Sequence, residues 1–407
     1  MPEKVNVGII GLGGRGTWTL RDILCKRQDV NVVAVCDEYR DRADKAGEIA
    51  LEKKGKKPIV TTDWREVVTS KEVDAVVNCT AWESHAVVSV GAMENGKFVV
   101  MEVGGAYSID ECFALVEAYK KTGIHCMMAE NCCYNREELM ALNMVRQGVF
   151  GKIVHCEGGY NHDLREEIST GIENRHYRLR NYMHRNADNY PTHELGPISK
   201  ILNINRGNKM NYLVSVASGS WGLNDFAARN EKINPSFKTF DFKQGDIVKT
   251  LIKCEGGETI TLTLDTTLPR SYSRGFTVRG TKGMFFEDGN GVFIDGRHSE
   301  WTKEFYNNKS EFFEKYEHRL WQSDTAKNYT GGHGGMDWLV YEGFFDYVKN
   351  GGNPSIDTYD TAAWMAITPL SAKSIEQGGA RVDIPDFTEG KWKDRKDICE
   401  SYFSLDK

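Results

Sequence analysis

No stretch of this 407-residue chain approaches the roughly 20 consecutive apolar residues that a membrane-spanning helix needs, so no transmembrane helix is expected. A positive charge excess is also missing. Against 52 Lys and Arg stand 58 Asp and Glu, and the formal net charge of -6 gives no electrostatic reason to expect nucleic acid or an anionic membrane as partner. The small basic stretch at Lys53, Lys54, Lys56 and Lys57 reads as a solvated helix end and loop. Ten cysteines form no C-x-x-C repeat or metal-finger spacing, which points to reduced, mostly buried thiols. His162, His184, His193 and His333 match no zinc or iron ligand pattern, so no metal is expected. Internal repeats and low-complexity tracts are lacking as well. A first strand at about the fifth residue leaves no space for an export leader, so a cytoplasmic protein is expected, or a periplasmic one if a leader was removed.

What is present begins almost at once. The apolar run Val5-Asn6-Val7-Gly8-Ile9-Ile10 leads into Gly11-Leu12-Gly13-Gly14-Arg15-Gly16, a helix-compatible segment starts at Thr17, and a second β-rich run, Val30 to Cys36, ends at Asp37. Each glycine has its own mechanical purpose: Gly11 for the tight turn, Gly13 for close approach of a pyrophosphate, Gly16 for packing of helix on strand. The helix N-terminus offers unpaired N–H groups and partial positive charge to the phosphates. Asp37 can accept both adenosine ribose hydroxyls and would repel a 2′-phosphate, which selects NAD; Tyr39 and Arg40 keep NADP as the alternative.

A chain of this length predicts two domains or more. Near-continuous apolar strands at 74–80, 98–102 and 125–130 alternate with helices at 84–95 and 108–122, the latter capped by Ser108 with Glu111 three residues on. This pattern predicts a doubly wound α/β Rossmann domain with a parallel sheet over residues 1–131. Residues 132–407 read as an α+β domain with a mostly antiparallel open sheet. A helix at 135–147 precedes strands at 153–160, 212–218, 247–254 and 258–265, and helices follow at 338–348 and 361–377. The stretches 168–189 and 294–329 read as polar and irregular, and the C-terminal helices are candidates to pack back on the first domain.

In open α/β sheets ligands lie beyond the carboxyl ends of the strands. That places Thr80, Trp82 and His85, then Glu102 and Val103, then Glu130 and Asn131, beside a bound dinucleotide. A carboxylate closing a buried strand is costly unless it is hydrogen-bonded or used, so Glu102 and Glu130 are candidates for function. His85 is equally readable as a residue that stabilises a helix start. In the second domain Tyr160 and His162 stand one strand period apart and face the same side of the sheet. Thr192 could cap a helix running from about His193 to Asn203, with prolines at both ends of the segment 189–197. A histidine in a first helical turn has its neutral form favoured by the dipole, which suits a general base; a purely structural His193 is the other reading. Tyr272 sits in a basic loop with Arg270 and Arg274, and Gly331 to Gly335 is too glycine-rich for packing alone.

At these residues the chain resembles the Gfo/Idh/MocA superfamily of sugar oxidoreductases and, within it, glycoside hydrolase family 109, the NAD-dependent α-N-acetylgalactosaminidases. The resemblance covers nearly the whole chain. It rests on the Gly11–Gly16 motif, Cys36-Asp37, Ala129-Glu130-Asn131-Cys132-Cys133-Tyr134, Tyr160-x-His162-Asp163-Leu164-Arg165, Tyr190-Pro191-Thr192-His193, Leu268-Pro269-Arg270-x-Tyr272-Ser273-Arg274 and Gly332-His333-Gly334-Gly335-Met336-Asp337. Ordinary superfamily members carry Glu-Lys-Pro where this chain has Glu102-Val103-Gly104, so the lysine that assists hydride transfer is replaced by valine. Within the branch the chain departs at Asn189 and Glu194, where leucine and glycine are usual.

The resemblance implies a redox-neutral glycosidase. Hydride leaves C3 of the sugar for NAD, the C2 proton becomes acidic, the C1 substituent is eliminated, water adds and the hydride returns. NAD-dependent glycosidases are an exception to the two-carboxylate rule. On this reading His193 deprotonates the C3 hydroxyl and Tyr160 acts at C2, with Glu130 and His162 tuning them. Tyr190, Tyr272 and Arg178 bind the sugar. Gly11, Leu12, Gly13, Gly14, Arg15, Gly16, Asp37, Thr80, Trp82, His85, Glu102, Val103 and Asn131 hold NAD. The expected partner is a small sugar or glycan in a homo-oligomer. Two other readings share the fold: a conventional NAD(P)-linked sugar dehydrogenase, and a cofactor-binding sensor that recruits a partner protein.

Overall fold

A computed structural model describes residues 4–323, 331–395 and 398–406. The chain divides into two compact units. The first comprises residues 1–134, 322–363 and 396–407, and the second comprises 135–321 and 364–395.

The first unit is built on six parallel strands in the order β3-β2-β1-β4-β5-β6, with β1 Val5–Ile10, β2 Val30–Cys36, β3 Ile59–Thr61, β4 Ala75–Asn78, β5 Phe98–Met101 and β6 Cys126–Met128. Val7, Ile9, Val35, Val77, Val100 and Met127 are all buried, as a parallel sheet covered on both faces requires. The order reverses between β1 and β4, the place where such sheets open a crevice for ligand. Several strands end earlier than their apolar runs. β4 stops at Asn78 because its amide leaves the ladder: Oδ1 accepts from the Thr80 N–H and hydroxyl, while Nδ2 donates to the His85 carbonyl and the Ser89 hydroxyl. The helix after β4 spans Trp82–Glu94, and that after β5 spans Ile109–Thr122. The Ser108 hydroxyl caps the latter on the Glu111 N–H at 3.3 Å, and the Glu111 carboxylate accepts from the Tyr107 N–H at 2.7 Å.

The second unit carries an eight-stranded sheet in the order β13-β12-β11-β7-β10-β9-β8-β14. Its strands are β7 Ile153–Asn161, β8 Met210–Ala217, β9 Ile247–Cys254, β10 Thr259–Asp265, β11 Thr277–Gly280, β12 Gly283–Phe286, β13 Gly291–Ile294 and β14 Val382–Asp383. Only β7 and β10 pair in parallel; the other pairs are antiparallel. Alternation is clear on the central strands, where Val248, Thr250, Ile252, Ile260, Leu262 and Leu264 are buried while Leu251 faces out. All ten cysteines are free thiols, nine of them buried.

Four local expectations are corrected here. The stretch 168–189 is not irregular: helices span Arg165–Ser169 and Tyr177–His184, the second capped by the His176 side chain on the Arg178 N–H. The stretch 294–329 likewise holds helices at Ser310–Tyr316 and Arg319–Gln322, while 324–329 lies outside the described residues. The helix expected over 361–377 is two, Thr358–Met365 and Ile367–Glu376, because Pro369 has no N–H for the Met365 carbonyl. Thr192 does not cap its helix. It is the first helical residue of Thr192–Ile201, Pro191 holds the cap position without a side-chain bond, and Pro197 lies inside the helix.

Candidate functional site

In the first unit the glycine-rich turn has the geometry its sequence implies. Gly11 has φ +89°, and a Cβ on Gly16 would stand 1.8 Å from the Gly11 carbonyl oxygen, so neither position admits a side chain. The helix opens at Gly14, where a Cβ would meet nothing within 4 Å, and Gly13 is nearly as open. The turn therefore presents bare backbone and a helix N-terminus to open space, which fits a dinucleotide diphosphate. Asp37 is buried at the end of β2. Its Oδ2 accepts from the Leu12 N–H at 2.6 Å and its Oδ1 from the Tyr39 N–H at 2.9 Å, which fixes the carboxylate and leaves lone pairs for ribose hydroxyls. The Arg40 guanidinium is engaged by Asp44 at 2.9 Å.

Beyond the strand ends, Thr80 is half-buried and Trp82, His85, Glu102, Val103 and Asn131 are buried. The His85 Nε2–H donates to the Thr80 carbonyl at 3.0 Å, and burial pushes the imidazole down to about 4, so it is a neutral ring that pins the start of its helix. Glu102 accepts from the Arg15 Nε at 2.9 Å. Glu130 is fully buried at the end of its strand, and its Oε1 accepts from the Cys132 N–H at 3.2 Å. A residue that sequence reasoning did not place in this cluster is Asp337, whose carboxylate binds Arg15 and Asn131 at 2.8 Å each.

The second unit gathers the other candidates around Tyr160. Its hydroxyl and the His162 Nδ1 are 2.9 Å apart, as the strand period predicts. The Tyr160 ring lies 4.3 Å from Tyr190, 5.3 Å from His193 and 6.5 Å from Tyr272 between centroids. The Tyr272 ring meets His162 edge-on at 5.1 Å, and Tyr190 meets His193 at 4.8 Å. Behind the rings lies Arg178, 8% exposed, with its guanidinium 5.1 Å from Tyr190 and 5.7 Å from Tyr160, paired to Glu167 at 2.8 Å. Burial and the Arg178 charge both hold His162 below the usual imidazole range, so it is neutral and can accept a proton from the Tyr160 hydroxyl. His193, in the first turn of its helix, is half-buried.

The loop of Tyr272 is basic in sequence but not in effect. Arg270 pairs with Asp265 at 2.6 Å, and the buried Arg274 lies among three carboxylates, Glu138 at 2.5 Å, Glu194 at 2.7 Å and Glu287 at 3.7 Å. Burial raises the Glu138 carboxyl against the pull of Arg274. Glu194 has room because a Cβ on Gly158 of β7 would stand 2.4 Å from its own. Glu194 thus ties the helix of His193 to the loop of Tyr272.

A dinucleotide turn at the switch point of a parallel sheet, in a chain whose second unit gathers phenols, imidazoles and a buried arginine, defines an oxidoreductase-type enzyme with an NAD-type cofactor fold. Comparison with known proteins agrees. Residues 5–130 match the oxidoreductase family with an NAD-binding Rossmann fold, and residues 134–394 match the C-terminal domain of glycosyl hydrolase 109. An α-N-acetylgalactosaminidase of Tannerella forsythia is 37% identical over 96% of this chain and 87% of its own length. One of Shewanella oneidensis is 36% identical over 97% and 88%. Among solved structures, myo-inositol 2-dehydrogenase from Lactobacillus plantarum shares the fold with a TM-score of 0.65 at 17% identity, covering 94% of this chain and 100% of that one. The chain belongs to glycoside hydrolase family 109, on the Gfo/Idh/MocA oxidoreductase scaffold. Among the described residues no helix is long and apolar enough to cross a membrane.

Proposed function

We propose that this chain is a retaining, NAD-dependent glycosidase that acts on α-N-acetylgalactosaminides or closely related sugars. The observation that carries the reading is the Tyr160 cluster: three tyrosines and two histidines beside a buried guanidinium, a set suited to moving protons at ring carbons and hydroxyls. NAD, when bound, supplies a hydride acceptor for C3 of the sugar and later a hydride donor to the same carbon. His193 takes the proton from the C3 hydroxyl. Tyr160 removes the C2 proton made acidic by the neighbouring carbonyl; the positive charge of Arg178 stabilises the phenolate on which this depends. His162 receives the phenol proton at Nδ1 and returns it. Tyr190, Tyr272 and Arg178 bind the sugar. In the first unit Gly11 to Gly16, Asp37, Thr80, Trp82, His85, Glu102, Val103 and Asn131 hold the cofactor, and Glu130 tunes the acid–base groups. Val103 contributes no proton, which disfavours the dehydrogenase reading, since the lysine of ordinary superfamily members has no substitute at that position. We further expect a homo-oligomer.

Turnover of p-nitrophenyl α-N-acetylgalactosaminide in D₂O tests the reading. The expected result is deuterium at C2 of the released sugar with no net NADH. Turnover without deuterium excludes elimination, and NADH accumulating with product supports the dehydrogenase instead.

A further inference from the structure

Asp337 lies in the first turn of the helix Met336–Asn350, more than 300 residues after the glycine-rich turn, and is 0% exposed. Its Oδ1 accepts from the Arg15 Nη2 at 2.8 Å and the Asn131 Nδ2 at 2.8 Å, and its Oδ2 from the His333 Nδ1 at 2.6 Å and the Arg15 Nη1 at 3.3 Å. A fully buried carboxylate is costly, but here burial is outweighed by the His333 hydrogen bond and by Arg15, which hold the carboxyl well below its usual range. The arginine it grips belongs to the dinucleotide turn, is also held by Glu102 at 2.9 Å and lies 4.8 Å from the Trp18 ring. Asn131 follows the last strand of the same sheet. One carboxylate thus joins two places at which a parallel sheet meets its ligand.

The segment that delivers Asp337 is strained. Gly332, His333, Gly334 and Gly335 all have positive φ, at 61°, 44°, 71° and 105°. For histidine, this left-handed conformation costs on the order of 1 kcal/mol and persists only where surroundings impose it. A Cβ on Gly332 would stand 2.5 Å from the Trp18 ring and 2.8 Å from Asp337 Oδ2, so the segment lies directly against the dinucleotide turn.

We propose that Asp337 is a positioning residue of the dinucleotide site, a carboxylate that sets Arg15 and Asn131 for the diphosphate and nicotinamide half of the cofactor and is itself oriented by His333. The inference rests on the NAD reading above and goes beyond it. The test is the dissociation constant of NAD, and separately of AMP, on cofactor-stripped protein by calorimetry. AMP reports the adenosine half, which Asp37 serves. For Asp337→Asn, NAD should bind at least ten-fold more weakly while AMP stays within two-fold. Equal weakening of both ligands indicates a general structural loss and overturns the proposal, as does unchanged NAD affinity. Should Asp337→Asn fail to fold, His333→Gln, whose side chain is mostly exposed, decides. It should weaken NAD about three-fold with AMP unchanged, and any other pattern overturns the proposal. Wild-type protein that binds AMP but not NAD would overturn the cofactor reading itself.

Discussion

The two units handle charge in opposite ways. In the first, the polar groups around the glycine-rich turn and the strand ends are tied down with the charges paired: Arg15 between Glu102 and Asp337, Asp37 on two backbone N–H groups, the His85 ring neutral and fixed. In the second, the cluster around Tyr160 is aromatic and half-open, and its single cation, Arg178, shares its charge between Glu167 and two phenol rings. On the proposed reading a dinucleotide ends each turnover in the form in which it began it, so its site gains from rigidity. A sugar that gains and loses protons at neighbouring atoms requires groups whose protons can move.

The sharpest way to break this comparison is at His193. Replacement by alanine should lower kcat by about 10³ with NAD affinity unchanged, since a positioned general base contributes roughly 10²–10⁴. Steady-state hydrolysis of the aryl glycoside, beside calorimetric NAD titration, checks both halves. Retained turnover would remove His193 from the base role. Tyr160→Phe should cost about 10² in kcat and, in D₂O, lower exchange at C2 in proportion. Exchange that outlived hydrolysis would show that another group takes the C2 proton.

Next in size comes the brace beneath the cluster. Arg274→Met leaves Glu194 and Glu138 buried without their cation, and breaking a buried pair in this way costs about 3 kcal/mol. Urea unfolding measures it. A change below about 0.5 kcal/mol would mean that these carboxylates are held by other groups.

The dinucleotide half was far more legible in the sequence than the sugar half, and the reason is physical. Gly11, Gly16 and Asp37 act through backbone conformation and strand position, which local spacing encodes. Tyr160 and His162 were legible because a strand has period two. His193 stands out by its place in a first helical turn and Tyr272 by its basic loop, but their roles come only from the family resemblance, since the contacts that bring them near Tyr160 are long-range. The helices Arg165–Ser169 and Tyr177–His184 are hard to read from sequence because they are short, five and eight residues, and strongly polar on average. Asp337 closes a glycine-rich motif, but nothing local in that motif shows that Arg15 and Asn131, more than 200 residues away, are its partners. Glu194 was visible as a departure from the family, but the cation it serves was not.

A smaller effect separates stability from catalysis within the second unit. Asp188, two residues before Tyr190, is fully buried, accepts from the Tyr190 N–H and the Thr250 hydroxyl, and is pushed by burial up to about 7. Between the ordinary carboxylate value, about 4, and about 7 the folded protein therefore binds more protons than the unfolded chain. Stability must fall as pH rises through that window, and this contribution is fully present only below it. Asp188→Asn should remove about 2–3 kcal/mol of that fall when urea unfolding at pH 5 and pH 8 is compared. An equally steep decline in the variant would assign the titration to another buried acid, with Glu138 the first to examine.

The smallest effect concerns the outer face of the second sheet. Leu251 of β9 is 49% exposed and pairs across the ladder with Thr261 of β10 and Val214 of β8; Val216, two residues along β8, is 55% exposed. A one-sided antiparallel sheet with apolar residues at its centre gains by being covered, and a second copy of the chain is the cover we expect. Leu251→Glu should leave the stability of the isolated subunit within about 0.5 kcal/mol, since the position is exposed there. It should, however, lower the mass measured by light scattering toward that of one 46.0 kDa chain. A variant whose mass equals that of the wild type would move the subunit contact away from this face and leave the chemistry of the Tyr160 cluster untouched.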